Sequence, residues 1–278
     1  MKTIVCPTDF SACANNAVVY ANQLANKTQA RLVLVHSTFV PDAMPYAGIS
    51  VHAATSTYGE EMMYQDRLVN LCQELKKQNP NSLVAYATKV GYRPVTDEIA
   101  HVANTENADL IVMGTTGAHG LKEIVLGSNT ADVIEISRRP LLVVPEQASF
   151  APIKHIIFAA DLTREHPANI ALTVELATLF GAHISFLHVL REDNFMTGTT
   201  AKIEYSHRFS GIGYDKVSFH TQEDENIERG ILTFGKTHKA DLIVMVNHQQ
   251  SFWRSVFSNS HTKEMAYHTT IPLLAIHD

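Results

Sequence analysis

Two rhythms of apolar residues alternate along the chain. Short, nearly unbroken apolar runs such as Leu110-Ile111-Val112-Met113 have the pattern of strands buried on both faces of a parallel sheet. Between them, apolar residues recur at helical spacing, as at Leu68, Leu71 and Leu75, which puts them on one side of a helix. A βαβα order of this kind predicts a doubly wound α/β sheet with helices on both faces. Ligands of such sheets bind outside the carboxyl ends of the strands, where the strand order reverses.

The whole pattern occurs twice. Lys2-Thr3-Ile4-Val5-Cys6-Pro7-Thr8-Asp9-Phe10 is matched by Lys154-His155-Ile156-Ile157-Phe158-Ala159-Ala160-Asp161-Leu162, each an apolar run ending at an aspartate. Ala30-Arg31-Leu32-Val33-Leu34-Val35-His36 is matched by Ala182-His183-Ile184-Ser185-Phe186-Leu187-His188. Ala108-Asp109-Leu110-Ile111-Val112-Met113 returns as Ala240-Asp241-Leu242-Ile243-Val244-Met245, and Pro140-Leu141-Leu142-Val143-Val144 as Pro272-Leu273-Leu274-Ala275-Ile276. Matches in one order predict tandem domains over 1–147 and 152–278, each with five parallel strands, divided near Gln147-Ala148-Ser149-Phe150-Ala151-Pro152. The copies differ in the middle. Phe39 to Gln65 reads as a loop and then a helix that can cap a ligand cleft, against a shorter Arg191 to Tyr214 rich in Thr, Gly and Ser.

Composition narrows the class. With 45% hydrophobic and 18% charged residues, the 278-residue chain is globular. A net charge of -6 argues against a nucleic-acid binder that works through a general positive field. No signal-peptide pattern precedes the first strand, and no apolar run approaches the roughly 20 residues of a membrane helix, so a cytoplasmic protein is expected. Cys6, Cys13 and Cys72 show no metal spacing and read as free thiols of a reducing compartment.

Candidate chemistry follows the fourth strand of the first repeat, in Met113-Gly114-Thr115-Thr116-Gly117-Ala118-His119-Gly120. Glycines let backbone N–H groups approach a polyphosphate with no Cβ in the way. Further on, Gly127-Ser128-Asn129-Thr130 opens a helical stretch, whose orphan amides and positive dipole end favour an anion. The run is not a Walker A motif, because no Gly-Lys-Ser/Thr follows, and its G-x-x-G-x-x-G spacing is not the dinucleotide fingerprint. A set of tight structural turns is the competing reading.

Gly114-x2-Gly117-x9-Gly127-Ser128 resembles the ATP-binding signature of the universal stress protein family. The opening Val5-Cys6-Pro7-Thr8-Asp9-Phe10-Ser11, the strand ending at His36 and the closing Pro-Leu-Leu-Val-Val strand are similar to that family's as well. The resemblance covers nearly the whole chain, twice. It implies two Rossmann-like domains of the adenine nucleotide alpha hydrolase type, packed through their last strands as a pseudo-dimer, with a homodimer as a further step. It also implies ATP, or another adenine nucleotide, with base and ribose near Pro7, Thr8, Asp9 and the Ser37 backbone. Phosphates would meet Gly114, Thr116, Gly117, Gly127, Ser128, Asn129 and Thr130, with Met113 and Thr115 also among the cofactor-binding residues. Asp9 would bond ribose or help hold a Mg2+ that offsets the phosphate charge. Ser37 departs from the family's apolar residue, but a backbone contact survives that change.

The second repeat departs further. Val246, Gln249 and Asn259 stand where the first repeat has Gly114, Gly117 and Gly127, and Trp253, Arg254 and Phe257 crowd the same loop. Nucleotide binding is therefore expected in the first repeat alone. Eleven of the 15 histidines lie from His155 onward, without the spacing of a metal motif. They read as scattered surface or core residues, with a zinc site as the alternative. The functional expectation is a nucleotide-dependent stress or regulatory protein with an unidentified protein partner. A slow ATPase using His119 or Glu123, and a partner-binding module with no nucleotide, are the alternatives.

Overall fold

The computed structural model describes residues 1–38, 50–115, 130, 132–133, 136–159, 170–190, 200, 203, 206–207, 209, 211–247 and 271–277. The first repeat runs β1 (Thr3–Pro7), α1 (Ala12–Thr28), β2 (Arg31–Ser37), α2 (Ser50–Gln78), β3 (Tyr86–Gly91), α3 (Val95–Thr105), β4 (Leu110–Gly114) and β5 (Leu141–Val144). The second runs β6 (His155–Ala159), α4 (Ala171–Phe180), β7 (His183–Leu190), β8 (Val217–Glu223), α5 (Ile227–Thr237), β9 (Leu242–Asn247) and β10 (Leu273–His277).

The two sets of strands form one ten-stranded sheet in the order β3-β2-β1-β4-β5-β10-β9-β6-β7-β8. Within each repeat every pairing is parallel. The repeats meet through β5 and β10, which run antiparallel with Leu274 opposite Leu142. This is the expected pairing of last strands, and it covers one edge of each repeat's sheet. Register also fixes the alignment of the repeats: Gly114 lies opposite Val144 as Val246 lies opposite Ile276.

Each element follows from its residues. Ser11 caps α1 by accepting the Ala14 N–H at 3.1 Å. Small buried residues at Ala14, Ala17, Ala21 and Ala25 then bring the helix close to the sheet. Helix α4 ends at Gly181, which takes the left-handed φ of 67° that a helix stop favours. The aspartate of each Ala-Asp-Leu-Ile-Val-Met run fastens two strands. Asp109 Oδ2 accepts the N–H groups of Lys2 and Thr3 at 2.5 and 2.9 Å. Asp241 Oδ2 accepts those of Lys154 and His155 at 2.7 and 2.9 Å.

Apolar side chains fill both sides of the sheet. One layer, under α1, α2 and α4, runs from Leu32 and Leu68 through Leu142 and Val144 to Phe158 and Leu176, so it continues across the junction. The other lies under α3 and α5. Tyr20, Phe150 and Phe180 carry the first layer from α1 over the connecting segment to α4, with ring centroids 4.9 and 6.5 Å apart. Asn16 donates to the carbonyls of Pro145 and Ala148, both at 2.8 Å, and the Met1 amine pairs with Glu175 of the other repeat.

Candidate functional site

The strand order of the first repeat reverses between β1 and β4, where connections leave in opposite directions and open a crevice. Pro7 ends β1, Ser37 ends β2, and Met113-Gly114 end β4. Their neighbours Thr8, Asp9 and Thr115 start the following loops.

The loop after β1 is held by four hydrogen bonds. Thr8 donates its N–H to Val35 C=O at 2.8 Å, and its own carbonyl accepts from His36 Nδ1 at 2.8 Å. Thr8 Oγ1 accepts the Phe10 N–H, and Asp9 Oδ1 accepts the Ser11 N–H, both at 3.0 Å. These bonds hold Phe10 at φ 63°, uncommon for a residue with a Cβ. They also fix the first turn of α1 at this end of the sheet, with its orphan N–H groups and no acidic side chain of its own.

Gly114 meets that same turn. A Cβ at Gly114 would lie 2.7 Å from Cys13 Sγ and 3.0 Å from the Cys13 carbonyl oxygen. Cys13 Sγ is 3.6 Å from Thr115 Oγ1, and the Thr115 N–H donates to Val144 C=O at 3.2 Å. Buried Thr130 donates its hydroxyl to the Gly114 carbonyl at 3.1 Å, bringing the end of the glycine motif back to its start. Met113 is buried against Val143 and offers only its backbone.

A wall of rings and cations stands over the β1 loop. The Arg67 guanidinium carbon is 3.9 Å from the Phe10 ring centroid, and the Tyr64 ring is 4.1 Å from His36. Burial holds the His36 imidazole below its ordinary pKa and the Arg67 charge adds to this, against the opposing pull of the Thr8 carbonyl and Asp9. On the other side, Ser37 Oγ donates to Arg93 C=O at 2.7 Å. The half-exposed Arg93 guanidinium reaches Glu98 Oε2 at 3.3 Å, and the Glu98 side chain packs on Gly91, where a Cβ would lie 2.0 Å from Glu98 Cδ and force that side chain to move.

The structure thus gathers Pro7, Thr8, Asp9, Ser37, Met113, Gly114, Thr115 and Thr130 at one end of the sheet. Thr116, Gly117, Gly127, Ser128 and Asn129 lie outside the described residues, as do His119 and Glu123. Sequence reasoning missed Cys13, Tyr64, Arg67 and Arg93. The Tyr64–Arg67 spacing of one helical turn was a usable signal; nothing local marks Cys13. At the matching end of the second repeat, buried Val246 puts an isopropyl group where Gly114 has none. Asp161, Gln249, Trp253, Arg254, Phe257 and Asn259 lie outside the described residues. Among the described residues no three or more His, Cys, Asp or Glu side chains are laid out for a metal ion, and no helix is long and apolar enough to cross a membrane.

The sequence profile of the universal stress protein family matches residues 1–145 and again 152–277. Universal stress protein MJ0531 of Methanocaldococcus jannaschii is 32% identical over 143 residues, spanning 51% of this chain and 81% of that protein. Universal stress protein MJ0577 of the same organism is 27% identical over 157 residues, 53% of this chain and 97% of that protein. A universal stress protein structure from Archaeoglobus fulgidus superposes with a TM-score of 0.69 over 99% of this chain and 96% of its own, at 17% identity, which shows a shared fold. Two profile matches laid end to end, on two five-stranded halves of one sheet, place the chain in the universal stress protein family as a tandem-domain member.

Proposed function

We propose that the first repeat binds ATP, or a closely related adenine nucleotide, together with Mg2+, and that occupancy regulates contacts with a protein partner in the cytoplasm. Base and ribose lie along Pro7, Thr8, Asp9 and the Ser37 backbone in this reading. The phosphates lie between Gly114–Gly117 and Gly127–Thr130, with Asp9 beside them to share the metal.

The observation that carries the reading is the close approach of Gly114 to the first turn of α1. With no side chain at the end of β4, the strand closes onto the first turn of α1, whose orphan amides favour an anion at the switch point. Val246 breaks this arrangement in the second repeat.

Calorimetric titration of ATP-Mg2+ into the intact chain, beside a Gly117→Val, Gly127→Asn double variant, tests it. One site per chain, lost in the variant, is the expected result. Two sites would contradict the assignment of the second repeat, and no site would sink the nucleotide reading.

A further inference from the structure

The amino-terminal end of the second repeat's sheet carries a cluster of histidine and serine side chains. His155 opens β6, His183 opens β7, His220 lies on β8, and His238 caps α5. Ring centroids are 5.8 Å apart for His155–His183 and His220–His238, and 6.5 Å for His155–His238. Between the rings Ser185 Oγ and Ser218 Oγ stand 3.1 Å apart, and Ser185 is buried.

The hydrogen atoms of this cluster follow from donor counting in the neutral state. His155 Nδ1 is 2.9 Å from the His238 carbonyl, which only accepts, so Nδ1 carries the hydrogen and Nε2 accepts. Ser185 therefore donates to His155 Nε2 at 2.7 Å. Its one hydrogen is then used, so Ser218 donates to Ser185. With its own hydrogen used, Ser218 accepts from His183 Nε2 and His220 Nε2, each at 2.7 Å. The Nε2 atoms end on two hydroxyls rather than on a shared centre, which is not a metal layout, and Ser185 is too enclosed to meet a substrate.

The first repeat supplies the comparison. Arg31 opens β2 opposite Thr3 as His183 opens β7 opposite His155. Lys89 lies opposite Val35 as His220 lies opposite Leu187. Glu106 caps α3 as His238 caps α5. Arg31 and Lys89 bond Glu106 at 2.6 and 3.0 Å. Three matched positions carry an Arg-Lys-Glu trio, charged throughout the histidine range, in one repeat and histidine rings in the other.

We propose that this cluster is a proton-responsive fastening: acidification through the histidine range loosens the β6–β8 side of the second repeat while the first repeat holds. Protonated His155 donates from both nitrogens, so the chain of donors must reverse and His183 or His220 must give up its Nε2 hydrogen. A second proton puts like charges on adjoining rings. Charged residues flanking the cluster are Lys154 ahead of β6, Asp215 and Lys216 ahead of β8, Lys236 and Lys239 around the end of α5, and Asp241 ahead of β9. Asp241 Oδ2 is engaged by the Lys154 and His155 amides.

The sign follows from linkage. Burial and the His155 charge hold His183 below its ordinary pKa, so the unfolded chain takes up the proton first. Stability is then lost as pH falls below about 6.5. Glu106 is held below the usual carboxylate value by Lys89 and Arg31. Its contribution is present above the unfolded carboxylate pKa and is lost only as pH falls through its own lowered value, so the first repeat's trio outlasts the cluster.

Hydrogen exchange of the full chain at about pH 7.5 and about pH 5.5, expressed as protection factors, tests this. Peptides spanning 183–190 and 217–223 are expected to lose protection between these pH values, by up to about tenfold for each histidine whose pKa is depressed in the folded state. Peptides spanning 31–37 and 86–91 are expected to keep theirs. Equal change in both repeats, or none in the second, overturns the proposal. His183→Gln with His220→Gln keeps an N–H donor toward Ser218, removes two of the titrating rings and leaves His155 in place, and is expected to lose markedly less protection at the lower pH than the parent chain. Undiminished pH dependence in that variant would assign the effect to other histidines and overturn the proposal. Should the variant fail to fold, the wild-type comparison of the two repeats still decides.

Discussion

Gly114 and Cys13 compete for one small volume, and the end of β4 is shaped by that competition. Gly114→Ala places a methyl against both the thiol and a backbone carbonyl. The expected loss is about 1–3 kcal/mol of stability, the usual scale of overpacking. Urea unfolding would measure it. Cys13→Ala in the same chain should return only part of the loss, because the carbonyl contact stays. Full recovery would mean that the thiol alone limits the site. The glycine motif is legible in sequence as a loop that tolerates close approach, but the identity of what approaches is not. Cys13 is 101 residues away from Gly114 in the chain, and only the packing of α1 on β4 joins them.

At the scale of elements, the parallel strands were legible because burial on both faces leaves continuous apolar runs. The helices were legible from one-sided spacing. The recurring aspartate was visible as a repeat, yet its work, holding the start of a strand from the start of another, needs the fold to be seen. Asp109→Asn and Asp241→Asn should each cost about 1–2 kcal/mol at neutral pH, the scale of charge-assisted hydrogen bonds partly open to water. Far apart, the two losses should add within about 0.5 kcal/mol. Denaturant midpoints of the two single variants and the double variant check both statements. Burial alone would raise the Asp109 pKa, but the Lys2 and Thr3 amides and nearby positive charge bring it below its ordinary value. The advantage of the native aspartate over the Asp109→Asn variant is thus complete above the unfolded carboxylate pKa and shrinks as pH falls through the lowered one. The histidine cluster was not legible, because its members come from β6, β7, β8 and the end of α5 with no short spacing among them.

The molecule as a whole is one sheet with a seam. Leu142 and Leu274 face each other across it, buried, and the apolar layer on one side runs through without a break. A continuous core makes the repeats cooperative, so calorimetry should show a single unfolding transition. Leu274→Asp puts an unpaired carboxylate in the seam at a cost of several kcal/mol, roughly 3–5 by analogy with broken buried pairs. It should split that transition in two, and a single transition in the variant would show that the seam is not what couples the halves. Two identical chains joined along such an edge would separate on dilution, and every mutation would strike both sides of the joint. Here the second half is tethered at an effective concentration on the order of millimolar, however dilute the protein. One polypeptide therefore keeps a lasting partnership in which each side is free to change alone. Gly114 set against its counterpart Val246, and Arg31 against its counterpart His183, are marks of that freedom.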